Sequence, residues 1–181
     1  MAEIIIIGII VAGILFYNSL VAKKNEVDNI DASVDTLLKK RYDLIPNLVA
    51  TLQEYMKYEE ELLTKITSLR SKAIQGDRKT KEALEKDFQS TFSSLMVAVE
   101  NYPDLKADKQ MIHLQHTLAE IEEQISAARR AYNQAVTDYN NALEMIPTNI
   151  IASFLKYKPR ELFDIPEEQK APINIKELFR K

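Results

Sequence analysis

Few side chains in this sequence have types and spacing suited to metal or proton chemistry. His113 and His116 are the only histidines, three residues apart, with Glu120 one turn further on. On one helical face that spacing could grip a metal ion through two imidazoles and a carboxylate. Both histidines fall off the apolar stripe of their segment, so solvent exposure is expected of them. Glu59 is the one acidic residue in a second apolar stripe. It could serve as a proton or metal site, or as half of a register-setting polar pair, since an unpaired buried carboxylate is costly. No Glu-x-x-His occurs, which leaves a di-iron carboxylate site without its ligand set. Cysteine is absent, so disulfides, thiolate chemistry and Cys-based zinc sites are excluded. No Gly-rich phosphate loop or nucleophile elbow is present, and three glycines leave little from which to build one. The expectation is a non-enzyme with no catalytic residue, no metal and no cofactor.

A second constellation is a repeat. Tyr132-Asn133 and Tyr139-Asn140 stand one heptad apart, and Arg129 and Arg130 precede them. Tyrosines on a buried seam need partners for their hydroxyls. Core packing with a bonded tip is one outcome. The sharper one makes Arg129, Arg130, Tyr132, Asn133, Tyr139 and Asn140 a contact surface for another subunit or protein.

The elements that must position these residues are helices. Met111, Leu114, Leu118, Ile121, Ile125, Ala128, Tyr132, Ala135, Tyr139, Ala142 and Ile146 are spaced alternately by three and four, the seam of a helix packed along neighbours. The alternation recurs in three earlier segments. Leu20, Val27, Ile30, Val34 and Leu37 predict a first helix to about Tyr42. Asp43 and Pro46 then predict a new start, because Asp caps free N–H groups and Pro is tolerated in a first turn. The second helix, on Ile45, Leu48, Leu52, Tyr55, Glu59, Leu62, Ile66, Leu69 and Ala73, should end at Gly76 with a positive φ. Leu84, Phe88, Thr91, Leu95, Ala98 and Tyr102 carry a third helix, stopped by Pro103. Asp108 caps the fourth, which reaches about Ile146. Short connections make consecutive helices antiparallel. The predicted fold is all-α, an antiparallel up-and-down four-helix bundle.

The N-terminus adds an anchor. Ile4 to Tyr17 is apolar throughout and Leu20 to Ala22 extends it; as one helix, residues 4–22 span roughly 29 Å, about the thickness of a bilayer core. No Lys or Arg precedes the run and no clear A-x-A site follows it, which favours a membrane span over a cleaved signal peptide. Within this span, marked by Ile4, Gly8, Ala12, Gly13 and Tyr17, the small-xxx-small pair Gly8 and Ala12 would allow close helix approach in lipid. Lys23, Lys24, Lys39, Lys40 and Arg41 all follow it, so the positive-inside rule predicts an outer N-terminus and a cytoplasmic body. The resulting division is a short outer tail at 1–3, a transmembrane helix at 4–22 continuous with the first bundle helix, a bundle at 23–146 and a C-terminal segment at 147–181. In that last segment Ile150, Ile151, Phe154 and Leu155 are followed by Lys156, Lys158 and Arg160. The pattern suits either packing over the end of the bundle or contact with anionic headgroups. Residues beyond Phe163, with Pro166 and Pro172, predict an extended tail. A net charge of −3 with interspersed signs gives no basic stripe for nucleic acid.

Several of these residues together resemble the LemA family of bacterial membrane proteins. They are Tyr17-Asn18 with Leu20-Val21, Arg41 to Leu48, Glu59, Arg70, Tyr102 to Ala107, Glu122, Arg129-Arg130, Tyr132-Asn133, Val136, Tyr139-Asn140, Pro147, Asn149 and Lys158-Pro159-Arg160. Tyr58 stands where the family often has His, and Lys156 where it often has Gly, so a different turn is expected at Lys156. The resemblance implies a four-helix bundle of bromodomain-like type in the cell membrane, and no settled activity. A magnetosome-forming protein is similar to the family, which implies a membrane-organising role. The expected partners are the lipid bilayer, copies of the chain itself and other membrane proteins. Two rival expectations are a signal-input module with a ligand pocket, and an accessory factor or enzyme using Glu59, His113 and His116.

Overall fold

The computed structural model describes residues 1–163 apart from Lys57 and Asp77, and among these the regular structure is helical throughout. The elements are α1 (Ala2–Tyr55), α2 (Glu60–Gln75), α3 (Arg78–Val99), α4 (Pro103–Lys106), α5 (Lys109–Glu144) and α6 (Thr148–Phe154). They fall into two compact units, one of Met1–Asp31 with the part of the chain from Arg129 onward, the other of Ala32–Ala128. The predicted tail beyond Phe163 lies outside the described residues.

The helix boundary predicted at Asp43 does not exist. α1 is a single helix of 54 residues with Pro46 inside it. Leu20, Val27, Val34, Arg41 and Leu48 are all buried, so one seven-residue register passes through the proline uninterrupted. A proline inside a helix removes the N–H that would reach the carbonyl four residues back, here that of Tyr42. Arg70 of α2 supplies the substitute, its Nε donating to the Tyr42 carbonyl at 3.0 Å. A donor from a neighbouring helix thus offsets the local rule.

This moves the rest of the second helix. α2 has only 16 residues and buries Leu63, Ile66, Leu69 and Ala73. Glu59 lies in the connection before it and is not a seam residue; its φ of −102° and ψ of 32° are non-helical. Gly76 ends α2 with φ −80° and ψ 150°, not the positive φ expected. Glycine is required there for room: an added Cβ would stand 2.6 Å from Thr80 Cγ2 and 3.0 Å from the Lys72 carbonyl oxygen. α3 already ends at Val99, and Pro103, expected as a stop, occupies the first turn of α4, where its missing N–H has no partner to lose. The cap of α5 is as expected: Asp108 Oδ1 accepts from the N–H groups of Gln110 at 2.8 Å and Met111 at 2.9 Å. Nine residues of the predicted α5 seam, from Met111 to Ala142, are buried; Ala128 is half-buried and Ile146 is exposed.

At the end of α6 the turn is the one glycine would make. Lys156 has φ 55°, its N–H donates to the Ser153 carbonyl, and the Tyr157 N–H donates to that of Ala152. This pairing closes a helix C-terminus through a left-handed residue. The lysine adopts it despite its Cβ.

Candidate functional site

In the unit of residues 32–128 the dominant feature is a buried charge cluster. Arg41 is 2% exposed. Its Nη1 and Nη2 donate to the two carboxylate oxygens of Glu85 at 2.8 and 2.7 Å, and Nη1 also donates to Glu122 at 2.9 Å. Nη2 reaches the Tyr42 hydroxyl at 3.2 Å. The guanidinium lies over the Phe88 ring, 4.3 Å from its centroid, and Tyr42 meets Phe88 edge-on. Burial alone would weaken the proton's hold on Arg41. The forked bond to Glu85, with Glu85 and Glu122 beside it, outweighs that and holds the guanidinium firmly charged. Arg41, counted from sequence only as one of the cations that follow the span, is a buried residue of the α1 seam. The signal for its burial was its place midway between Val34 and Leu48 in the heptad. Chemically the cluster ties α1, α3 and α5 together through one buried guanidinium.

Glu59 and the histidines form no such cluster. His113 is exposed, and His116 Nδ1 faces Glu120 at 3.4 Å on the surface of α5. Among the described residues no group of three His, Asp or Glu side chains stands close enough to hold a metal ion. A groove of about 630 Å³ runs beside α1 and α2, lined by Val49, Met56, Leu63, Thr64 and Ser68 among others.

In the other unit the Tyr-Asn repeat has a partner in its own chain. Asn140 donates Nδ2 to the Arg160 carbonyl at 2.9 Å and accepts the Arg160 N–H on Oδ1 at 2.9 Å. Asn133 does the same to Phe163, at 3.1 and 2.8 Å. The Tyr139 hydroxyl donates to the Lys158 carbonyl at 3.2 Å, and the Tyr132 hydroxyl to that of Glu161 at 3.3 Å. Both tyrosines are buried. The register is arithmetical: one heptad of helix rises about 10.5 Å, and three residues of nearly extended chain cover about 10 Å. A step of seven on α5 therefore matches a step of three in residues 158–163, which run along the helix as a strap. Each asparagine amide pairs with both polar groups of one residue, as a peptide would.

Phe163 anchors the strap. It is 8% exposed, its ring centroid lies 4.6 Å from that of Tyr132, and Arg129 stands over it at 5.7 Å. At the strap's start, Arg160 Nη2 pairs with Asp28 of α1 at 2.8 Å. Arg130 is exposed on α5. Sequence reasoning singled out the repeat and missed the strap; the spacing of Arg160 and Phe163 was the available signal.

The span residues Ile4, Gly8, Ala12, Gly13 and Tyr17 lie on α1. Ile4 is 72% and Tyr17 44% exposed, and nothing stands within 4 Å of a Cβ placed on Gly8 or Gly13. α1 is the one candidate span among the described residues by length and apolarity.

Many of the residues that carried the resemblance thus assemble into two bonded clusters, Arg41, Tyr42, Pro46, Arg70 and Glu122 in one unit and the Tyr-Asn ladder with Lys158 and Arg160 in the other. A model of the LemA family matches residues 31–176. The chain belongs to the LemA family. Protein LemA of Metamycoplasma hominis is 28% identical over 96% of this chain and 83% of its own. Two magnetosome proteins are more distant relatives of this LemA-family chain. MamQ 2 of Paramagnetospirillum magneticum is 20% identical, and MamQ of Magnetospirillum gryphiswaldense 19%; each match covers 97% of this chain and 74% of the relative.

Proposed function

We propose that this LemA-family protein is a non-enzymatic, single-pass scaffold of the bacterial inner membrane. Its N-terminus is outside, its helical body forms a cytoplasmic four-helix bundle, and copies of it assemble to organise the bilayer or present helix faces to other membrane proteins. One observation carries this reading. From Ile4 to Tyr17 nearly every large apolar side chain of α1 is uncovered, Ile9 at 67% and Leu15 at 63% among them. An apolar surface of that extent needs an apolar surrounding. Gly8 and Ala12 give the span a face on which a second helix can approach closely. The magnetosome names of two relatives support a role in membrane organisation.

Light scattering of the detergent-extracted full chain tests assembly. A protein mass of several copies is expected, reduced by Gly8→Leu. A strictly monomeric chain removes the self-assembly part. The groove beside α1 and α2 favours a second reading, a sensor that takes a small ligand there. Under that reading Ser68→Leu, which fills the groove, would abolish function in cells while leaving membrane insertion and assembly intact.

A further inference from the structure

The turn after α5 and the short helix α6 carry apolar side chains on two sides, and the chain covers only one. Ala152 is buried and Ile151 and Leu155 are half-buried. On the other side Ile150 is 67% and Phe154 87% exposed, and in the preceding turn Met145 is 63% and Ile146 81% exposed. Ile146, Ile150 and Phe154 follow one another at intervals of four, so on α6 the last two share a face. Of the four residues for which packing was open from sequence, Ile151 and Leu155 are thus partly covered, while Ile150 and Phe154 are not.

Three observations indicate what meets the uncovered face. The first is where the unit ends. Leu20 is fully buried while Tyr17 is 44% exposed, so the covering of α1 ends at Leu20, within the last turn of the apolar run at 4–22. The second is the tie to α1. Arg160, six residues past Phe154, pairs with Asp28, and Tyr139 feels Lys24 and Asp28 as neighbours. Asp28 is six residues beyond Ala22, about 9 Å of helix. The third is charge. Lys156 and Lys158, just past Phe154, are exposed cations suited to anionic headgroups. Arg160 is committed to Asp28 and Asn140.

We infer that Met145, Ile146, Ile150 and Phe154 form a second membrane contact, seated at the headgroup–acyl boundary of the bilayer that α1 crosses. This rests on the reading of α1 as a span. With α1 as stem and this face as foot, the protein has a fixed stance on the lipid surface, where an unsupported stem would let it swivel. The proposed occupant is lipid, of mixed neutral and anionic headgroups.

The chain has no tryptophan, so Phe154→Trp places a single indole on the exposed face and Phe16→Trp one in the span. Each full-length variant is reconstituted in phosphatidylcholine–phosphatidylglycerol vesicles, with quenchers held near the headgroups, deep in the acyl chains, or dissolved as iodide. The Phe154→Trp emission is expected to be blue-shifted, strongly quenched from the headgroup region, weakly quenched from the acyl centre and protected from iodide. Ile150→Trp is expected to report the same if the first variant folds poorly. If Phe16→Trp is quenched from the acyl core while Phe154→Trp answers only to iodide, the foot is overturned and the stem stands. A blue-shifted indole untouched by any lipid quencher means a second copy or another protein covers the face, and also overturns it. No lipid quenching of Phe16→Trp would remove the stem and the foot together.

Discussion

Arg70 gives its Nε to the carbonyl of Tyr42 at 3.0 Å, the acceptor that Pro46 leaves without its helical donor. One side chain from α2 thereby makes a proline compatible with the middle of a 54-residue helix. Arg70→Ala should cost about 1–3 kcal/mol, the penalty of an unmet carbonyl. In a Pro46→Ala background, where the N–H of residue 46 serves Tyr42, the same substitution should cost much less. Thermal unfolding of the four proteins in detergent measures the coupling. Equal losses in both backgrounds would show that Arg70 acts elsewhere.

Glu85 is predicted to matter far more than Glu122, although both bond to Arg41. Glu85 is buried, whereas the Glu122 side chain is 45% exposed. Removing one partner of a buried pair strands a charge, so Glu85→Ala should cost about 3–5 kcal/mol. Glu122→Gln should cost under about 1 kcal/mol, because water screens it. Denaturant titration of the two variants ranks them.

The strap should loosen by steps. Asn140→Ala removes two hydrogen bonds to Arg160, an exposed residue, and should cost about 1 kcal/mol. Phe163→Ala empties a buried ring site and should cost about 3 kcal/mol. Amide hydrogen exchange at Arg160 and Phe163 should speed up in both.

Alkaline pH should weaken the strap through Tyr139. Burial raises its phenol above the ordinary 10.0, with Arg160 and Lys24 pulling the other way. The folded chain then holds that proton more tightly than the unfolded chain. The contribution is complete below the ordinary value and is lost as pH rises through the raised one. Melting temperatures measured between about pH 9 and 11 should fall more steeply for the natural chain than for Tyr139→Phe.

Much of this was legible in the residues. The Met111–Ala142 seam, the Asp108 cap and the apolar run follow from period and polarity, which are local. What was not legible depends on partners distant in sequence. Asp43 and Pro46 spell a helix start by every local rule, and only Arg70, from another helix, reverses that. Arg41 reads in the sequence only as one more cation after the span; Glu85 and Glu122, far along the chain, account for its burial, though its heptad position gave a hint. The Tyr-Asn repeat stood out as recognition chemistry, but its ligand was a strap whose three-residue step, from Arg160 to Phe163, has meaning only beside the seven-residue step of α5. Gly76 is the local exception: it leaves room for Thr80, four residues on, which a rule about φ does not anticipate.

The most direct test of the anchored scaffold uses the absence of cysteine. Ala2→Cys and Lys39→Cys are introduced singly into the full chain, and intact bacterial cells are treated with a membrane-impermeant maleimide. The account predicts labelling of Ala2→Cys in intact cells and of Lys39→Cys only after permeabilisation. Labelling of Lys39→Cys in intact cells, or of neither until the cells are opened, would contradict it.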